Sequence, residues 1–348
     1  MSTRSPHVLA VRADSMGDVL LTGPAIRALA ARARVSLLAG PAGAAAARAL
    51  PGVDDVFVHA LPWIVADPEP CAAEAVDALL DDVRARAPDE AVVFTSFHQS
   101  PLPLALLLRL AGVPRVSAIS PDYPGTLLDV RHDVDDGVHE VERARSLAAA
   151  AGFPVPPGDD GRLALRAGFV VPSSLPSPYV VVHPGASVPA RAWDPDRARA
   201  LVRVLVRDGV RVVVTGGPAE RRLTQFVAGA HPLVVDAGGE LSLAELAGVL
   251  AGARAVVSGN TGPAHLAAAV GTPVVSLYAP TVPAARWRPW MVEHVLLGDQ
   301  QIACRGCRAR QCPVAGHPCL DVAVADVVDA LERVAPAPAR VPGWGTAA

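Results

Sequence analysis

A rhythm that runs through the chain twice constrains it most. Short, unbroken, Val-rich apolar runs fall at 7–12, 35–38, 55–58, 91–95 and 116–119. A second series falls at 179–183, 210–215, 233–236, 255–258 and 273–277, and Ala/Leu/Arg-rich stretches separate most of the runs. Apolar runs this short, without polar alternation, are strands buried on both faces, as in parallel sheets covered by helices. The fold class expected is α/β, with two parallel-sheet halves facing one another. At roughly 150 residues per domain, 348 residues also fit two. A Pro/Gly/Asp/Ser-rich stretch at 154–178 parts the series. We expect an N-terminal domain over 1–165, a second over 166–334, and a disordered Pro/Ala/Gly-rich tail at 335–348. Ligands of such sheets sit at the carboxyl ends of strands and in clefts between domains.

Composition excludes several classes. With 51% hydrophobic and 19% charged residues the chain is not disordered. A net charge of −3 leaves no basic surplus for a nucleic-acid partner. No secretory signal opens the sequence, and no stretch reaches the ~18–20 unbroken apolar residues of a membrane span. The longest candidate, 102–113, is broken by Pro103 and Arg109. It reads as a buried helix, or alternatively as an interfacial face meeting a lipid-linked substrate. A cytoplasmic protein is expected, with a peripheral site at the inner face of the membrane as the variant.

Three segments carry chemistry. The first strand ends in Arg12-Ala13-Asp14-Ser15-Met16-Gly17-Asp18, followed by a helix over 19–33. The dinucleotide pattern G-x-G-x-x-G is absent. Asp18 at the helix start is either an N-cap or a carboxylate presented to the cleft as general base, with Asp14 as its competitor. The second half opens alike, in Pro184-Gly185-Ala186-Ser187-Val188-Pro189-Ala190-Arg191-Ala192-Trp193. Backbone amides, the Ser187 hydroxyl and the Arg191 guanidinium suit a diphosphate, unless Arg191 is plain surface. The third segment is Ser258-Gly259-Asn260-Thr261-Gly262-Pro263-Ala264-His265-Leu266. A strand there runs into a helix with proline in its first turn. Thr261 and Gly262 then offer amides at the positive helix end, an anion site, and His265 either joins them or packs in the core. Two Asp-x-Asp patterns, at 133–135 and 194–196, are discounted as metal ligands. Asp194 reads as a helix cap, and Asp133 to Asp136 as a polar loop following no strand.

Taken together, these segments resemble glycosyltransferase family 9, the ADP-heptose:lipopolysaccharide heptosyltransferase family. Met16-Gly17-Asp18 with Val19-Leu20-Leu21-Thr22 resembles its N-terminal signature. His183-Pro184-Gly185-Ala186, Arg191-Ala192-Trp193 and Thr215-Gly216-Gly217-Pro218-Ala219-Glu220 resemble its donor domain. Leu241-Ser242-Leu243-Ala244-Glu245-Leu246 and Thr261-Gly262-Pro263-Ala264-His265-Leu266 follow in the family's order. The resemblance spans about 7–320. It implies a GT-B fold of two Rossmann-like domains, and inverting, metal-independent transfer of heptose from ADP-heptose to an acceptor hydroxyl. Asp18 then stands as the base. Ser187, Arg191, Glu220, Leu241, Asn260, Thr261, Gly262 and His265 stand around the donor. Gly17, His98 and Gln99 are acceptor-side candidates.

The sequence also departs from the family. Asn260, the chain's single Asn, replaces a usual Asp. Thr95-Ser96-Phe97-His98-Gln99-Ser100-Pro101 contains no basic residue apart from a histidine, although lipopolysaccharide core acceptors are anionic. The acceptor is left open among a cell-wall glycan, a lipid-linked saccharide and a secondary-metabolite aglycone. Cys304, Cys307, Cys312 and Cys319 lie within sixteen residues, with one CxxC among them. They fit a structural Zn²⁺ or iron–sulfur site, or free thiols or a labile bridge. Two rival functions are kept: a nucleotide-sugar epimerase on this fold, and a non-catalytic nucleotide or redox sensor built on the cysteines.

Overall fold

The computed structural model describes residues 5–65, 67–169, 175 and 177–336. The expected tail beyond 336 and much of 170–176 lie outside the described residues.

The first half holds six strands: β1 (His7–Arg12), β2 (Arg34–Ala39), β3 (Asp55–Val58), β4 (Glu90–Val93), β5 (Val116–Ile119) and β6 (Val130–His132). Its helices are α1 (Met16–Ala30), α2 (Ala44–Ala49), α3 (Ala73–Arg86), α4 (Leu102–Leu110) and α5 (Glu140–Ala150). The second half repeats the count with β7 (Tyr179–His183), β8 (Arg211–Gly216), β9 (Val234–Gly238), β10 (Ala255–Gly259), β11 (Val274–Leu277) and β12 (His294–Leu297). Its helices are α6 (Pro195–Arg207), α7 (Arg221–Ala228), α8 (Leu243–Ala251), α9 (Gly262–Ala269), α10 (Ala284–Trp287) and α11 (Val324–Val334).

Every strand pairing is parallel. The orders are β3-β2-β1-β4-β5-β6 and β12-β11-β10-β7-β8-β9, the same winding twice. Each sheet reverses direction of growth beside its first strand, between β1 and β4 and between β7 and β10. The crevice at the carboxyl ends of those strands is where such folds take ligands. Burial explains the Val-rich runs: β1, β7 and β10 are buried at every residue, so both faces must be apolar. The halves also pack on each other. Leu21 and Val141 from the first meet Ala268, Tyr278, Val282 and Trp287 from the second in one apolar cluster.

Four sequence expectations need correction. β6 and β12 are strands without strong sequence signals; each is short, lies at a sheet edge and is only partly buried. The loop of Asp133 to Asp136 therefore does follow a strand, β6. Asp136 faces Arg286 of the second half at 2.7 Å, an ion pair and not a metal ligand set. The 102–113 helix is shorter than expected and not fully buried: Leu106 and Leu110 are 48% and 60% exposed, because only one stripe meets the core. Finally, α1 begins at Met16, three residues early, with Ser15 as N-cap. Asp194 behaves as expected, its side chain accepting from Arg197 N ahead of Pro195. No helix among the described residues is long and apolar enough to cross a membrane.

Candidate active site

The switch points of the two sheets face each other, and the seam is tight. α1 and α9 approach N-terminus to N-terminus. A Cβ on Gly17 would lie 2.7 Å from His265 Cδ2, so only glycine lets the two helices meet at this distance. Between them lies a cavity of about 210 Å³. Ser15, Met16, Gly17 and Asp18 line it from the first half, and Ser187, Arg191, Asn260, Thr261, Gly262, His265 and Trp287 from the second.

Asp18 is the third residue of α1, yet its carboxylate makes no cap bond to backbone. Oδ2 accepts from Ser15 Oγ at 2.8 Å. Oδ1 accepts from Arg12 Nη2 at 3.1 Å and from Trp287 Nε1 at 3.2 Å. Burial pushes the Asp18 carboxyl up, but Arg12, then the bonds from Ser15 and Trp287, outweigh it and hold it below the usual carboxylate range. Asp14 goes the other way, raised chiefly by burial against the pull of Arg12. Its Oδ1 accepts from Gln99 Nε2 at 2.5 Å, and its Oδ2 pairs with Arg12 Nε at 3.0 Å.

Arg12 is 3% exposed and serves a third carboxylate, Glu140, at 3.6 Å. Burial opposes the charge on Arg12, yet Asp14, Asp18 and Glu140 together raise its pKa. Glu140 also meets Arg286 of the second half at 3.9 Å. Sequence reasoning missed Arg12, Glu140, Arg286 and Trp287. Arg12 carried a signal, a charge inside an apolar strand; the other three carried none, because they arrive from distant loops and helices.

Of the donor-side candidates, Ser187, Arg191, Asn260, Thr261, Gly262 and His265 line this cavity. Thr261 is the extended N-cap of α9, and its side chain makes no cap bond. Asn260 and His265 are 4% and 3% exposed, and Asn260 Nδ2 and His265 Nδ1 have no partner within the protein. Burial lowers the His265 pKa from 6.5 to about 4, leaving a neutral ring at neutral pH. Arg191 is held by a bond from Nε to Thr281 Oγ1 at 3.3 Å, so it is not plain surface. A buried polar atom without a partner is costly, and two such atoms belong to residues that line this cavity.

A sequence profile of glycosyltransferase family 9 (heptosyltransferase) matches residues 102–317. Lipopolysaccharide heptosyltransferase 1 of Pseudomonas aeruginosa is 32% identical over 311 residues, covering 80% of this chain and 79% of its own. The chain belongs to glycosyltransferase family 9. The family 9 glycosyltransferase of Veillonella parvula superposes with a TM-score of 0.77 at 16% identity, over 96% of this chain and 98% of that one. The E. coli heptosyltransferase WaaC with ADP-2-deoxy-2-fluoro heptose superposes with a TM-score of 0.69 at 23% identity, over 94% and 99%. The GT-B fold expected from the sequence is therefore the fold of this glycosyltransferase.

Not every expected residue reaches the cavity of the family 9 enzyme. Glu220 sits beyond β8, its Oε2 accepting from Gly217 N at 2.7 Å and lying 3.7 Å from His183 Nε2. Leu241 is half-buried against the core and precedes a capping box in which Ser242 and Glu245 close the start of α8. His98 and Gln99 line an adjoining cavity of about 360 Å³. The cysteines do not converge as a ligand set. Cys304 and Cys307 are exposed, Cys312 half-buried and Cys319 buried, its thiol pushed up to about 11 by burial. Among the described residues no three His, Cys, Asp or Glu are placed to hold a metal ion.

Proposed function

We propose that this glycosyltransferase moves heptose from ADP-heptose to an acceptor hydroxyl with inversion, Asp18 acting as general base and no metal taking part. One observation carries the reading. Asp18 from one half, its carboxyl held below the usual range, and Arg191, Thr261 and Gly262 from the other line the same cavity.

In this reading the acceptor hydroxyl gives its proton to Asp18 as its oxygen attacks the anomeric carbon. The bond from that carbon to the diphosphate oxygen breaks, and its electron pair leaves with ADP. The growing negative charge is met by the Arg191 guanidinium, the Ser187 hydroxyl and the amides opening α9. Asn260 and His265 line the cavity beside these groups, His265 with the Cδ2–Nε2 edge of its ring toward Gly17. These protein donors do the work a divalent cation does elsewhere. The N-terminal half supplies the base and the C-terminal half the leaving-group site, so chemistry requires the halves to stay closed. The donor identity is supported by kinship with proteins named heptosyltransferases, one of them solved with an ADP-heptose analogue.

Calorimetric titration with ADP, UDP and GDP tests the reading. Selective ADP binding that Arg191→Ala weakens at least about tenfold is expected. No binding of any nucleotide overturns it.

A further inference from the structure

We propose that the acceptor is uncharged around its reacting hydroxyl and presents an apolar face, as a neutral glycoside or aglycone does. This rests on the reading of Asp18 as base and deepens it by naming the acceptor class.

The argument lies in the cavity of about 360 Å³ that opens beside Asp18, away from the α9 amides. Its walls are largely apolar: Pro41, Ala42, Ile64 and Val65 from the first half, Val282 and Trp287 from the second. The polar groups on the first-half wall are two carboxylates, Asp14 and Asp18, with Ser15, Ser96, Gln99 and His98. Burial, then Arg308, lowers the His98 pKa, so that ring is neutral at neutral pH.

No arginine that lines the cavity is left uncommitted once the donor is bound. Arg12 lies behind the wall and serves Asp14, Asp18 and Glu140. Arg310 reaches the cavity mouth but is bidentate to Asp67, through Nη1 at 2.5 Å and Nη2 at 2.7 Å. Arg191 lines this cavity too, and in the donor complex its guanidinium faces the leaving diphosphate. Arg286 and Arg308 lie over the Phe97 ring at 4.2 and 4.7 Å and do not line the cavity. A carboxylate or phosphate on the acceptor would therefore leave water to face Asp14 and Asp18 with no uncommitted cation to receive it. A hydroxyl-bearing, uncharged ring meets none of this opposition, and its apolar face is matched by Ile64, Val65 and Trp287.

The test uses the full chain saturated with ADP, titrated with phenyl β-glucoside and phenyl β-glucuronide, which differ by one carboxylate. The glucoside should bind at least tenfold more tightly. Ala42→Lys, at an exposed position of the apolar wall, should narrow that gap, and Val65→Lys repeats the test should the first variant misfold. Equal or tighter binding of the glucuronide to the unaltered protein overturns the charge argument. Failure of both glycosides to bind overturns the apolar face. Failure of ADP itself to bind is a separate result, since it defeats the transferase reading and not the acceptor class alone.

Discussion

Trp287 Nε1, from the second half, donates to Asp18 Oδ1, from the first, across 3.2 Å. The candidate base is thus held partly by the opposite domain. A hydrogen bond to a carboxylate holds it in one orientation and helps keep it ionised. Part of the hold on Asp18, beside the bonds from Ser15 and Arg12, is lost if the halves part.

Removal of that single donor should be visible. Trp287→Phe keeps a ring against the Leu21 cluster but loses the N–H. We expect turnover of ADP-heptose to fall about tenfold or more, with ADP affinity little changed, as befits loss of one charge-assisted bond worth roughly 1.5–3 kcal/mol. Steady-state ADP release beside calorimetric ADP affinity separates the two; an equal loss in both would assign Trp287 to donor binding.

The two carboxylates beside Arg12 should part company. Asp18→Asn is isosteric and should cut turnover by at least about a hundredfold while ADP still binds. Asp14→Asn should retain most turnover, because Asp14 is engaged by Arg12 and Gln99. Should Asp14→Asn be the inactive variant, the base has been misassigned.

Arg12 is expected to matter for folding as much as for activity. Arg12→Leu would strand Asp14 and Asp18 without their cation and leave Glu140 only its longer contacts with Arg286 and Arg143. A loss of about 3–5 kcal/mol is typical of breaking such a buried pair. Denaturant midpoints measure it, and Arg12→Lys should recover part of the loss. A variant as stable as the parent would show that water reaches the cluster.

Acid should destabilise the fold through two histidines. Burial lowers His265 and His139 from 6.5 to about 4. His139 Nδ1 accepts from Val141 N at 3.2 Å, and its Nε2 lies 3.0 Å from Arg288 O across the cleft. Between pH 6.5 and 4 the unfolded chain binds these protons and the folded chain does not, so stability rises with pH and is lost on acidification. Each site should contribute a loss of about 2 kcal/mol by pH 5. Asp18, held below its unfolded value, adds stability that is kept at neutral pH and lost only at still lower pH. Melting temperatures at pH 7 and pH 5, with His139→Gln alongside, check the sign; a flat profile would mean the histidines are hydrated.

Much of this was legible in the residues. Strands such as β1, β5 and β7 have the bounds expected from their apolar runs, because burial on both faces leaves an uninterrupted signal. β6 escaped notice because an edge strand of Val130, Arg131 and His132 looks like loop. Residues 258–265 could be read as a strand running into a helix because the turn between β10 and α9 is local. The link from Asp18 to Trp287 could not, since 269 residues separate the pair and only the closed fold joins them. Leu106 and Leu110 show the limit of composition, which does not say which stripe of a leucine-rich helix meets the core.

The meeting of Gly17 with His265 sorts the positions of this enzyme by how freely they can vary. A single added carbon at that seam would wedge the halves apart, and the seam carries the parts needed for any acceptor. Pro41, Ala42, Ile64 and Val65 stand on the far side of Asp18, on connections after β2 and β3, and no strand pairing runs through them. Change can accumulate there without disturbing closure. A lineage of such enzymes is then free to alter what it glycosylates while preserving how it releases its nucleotide.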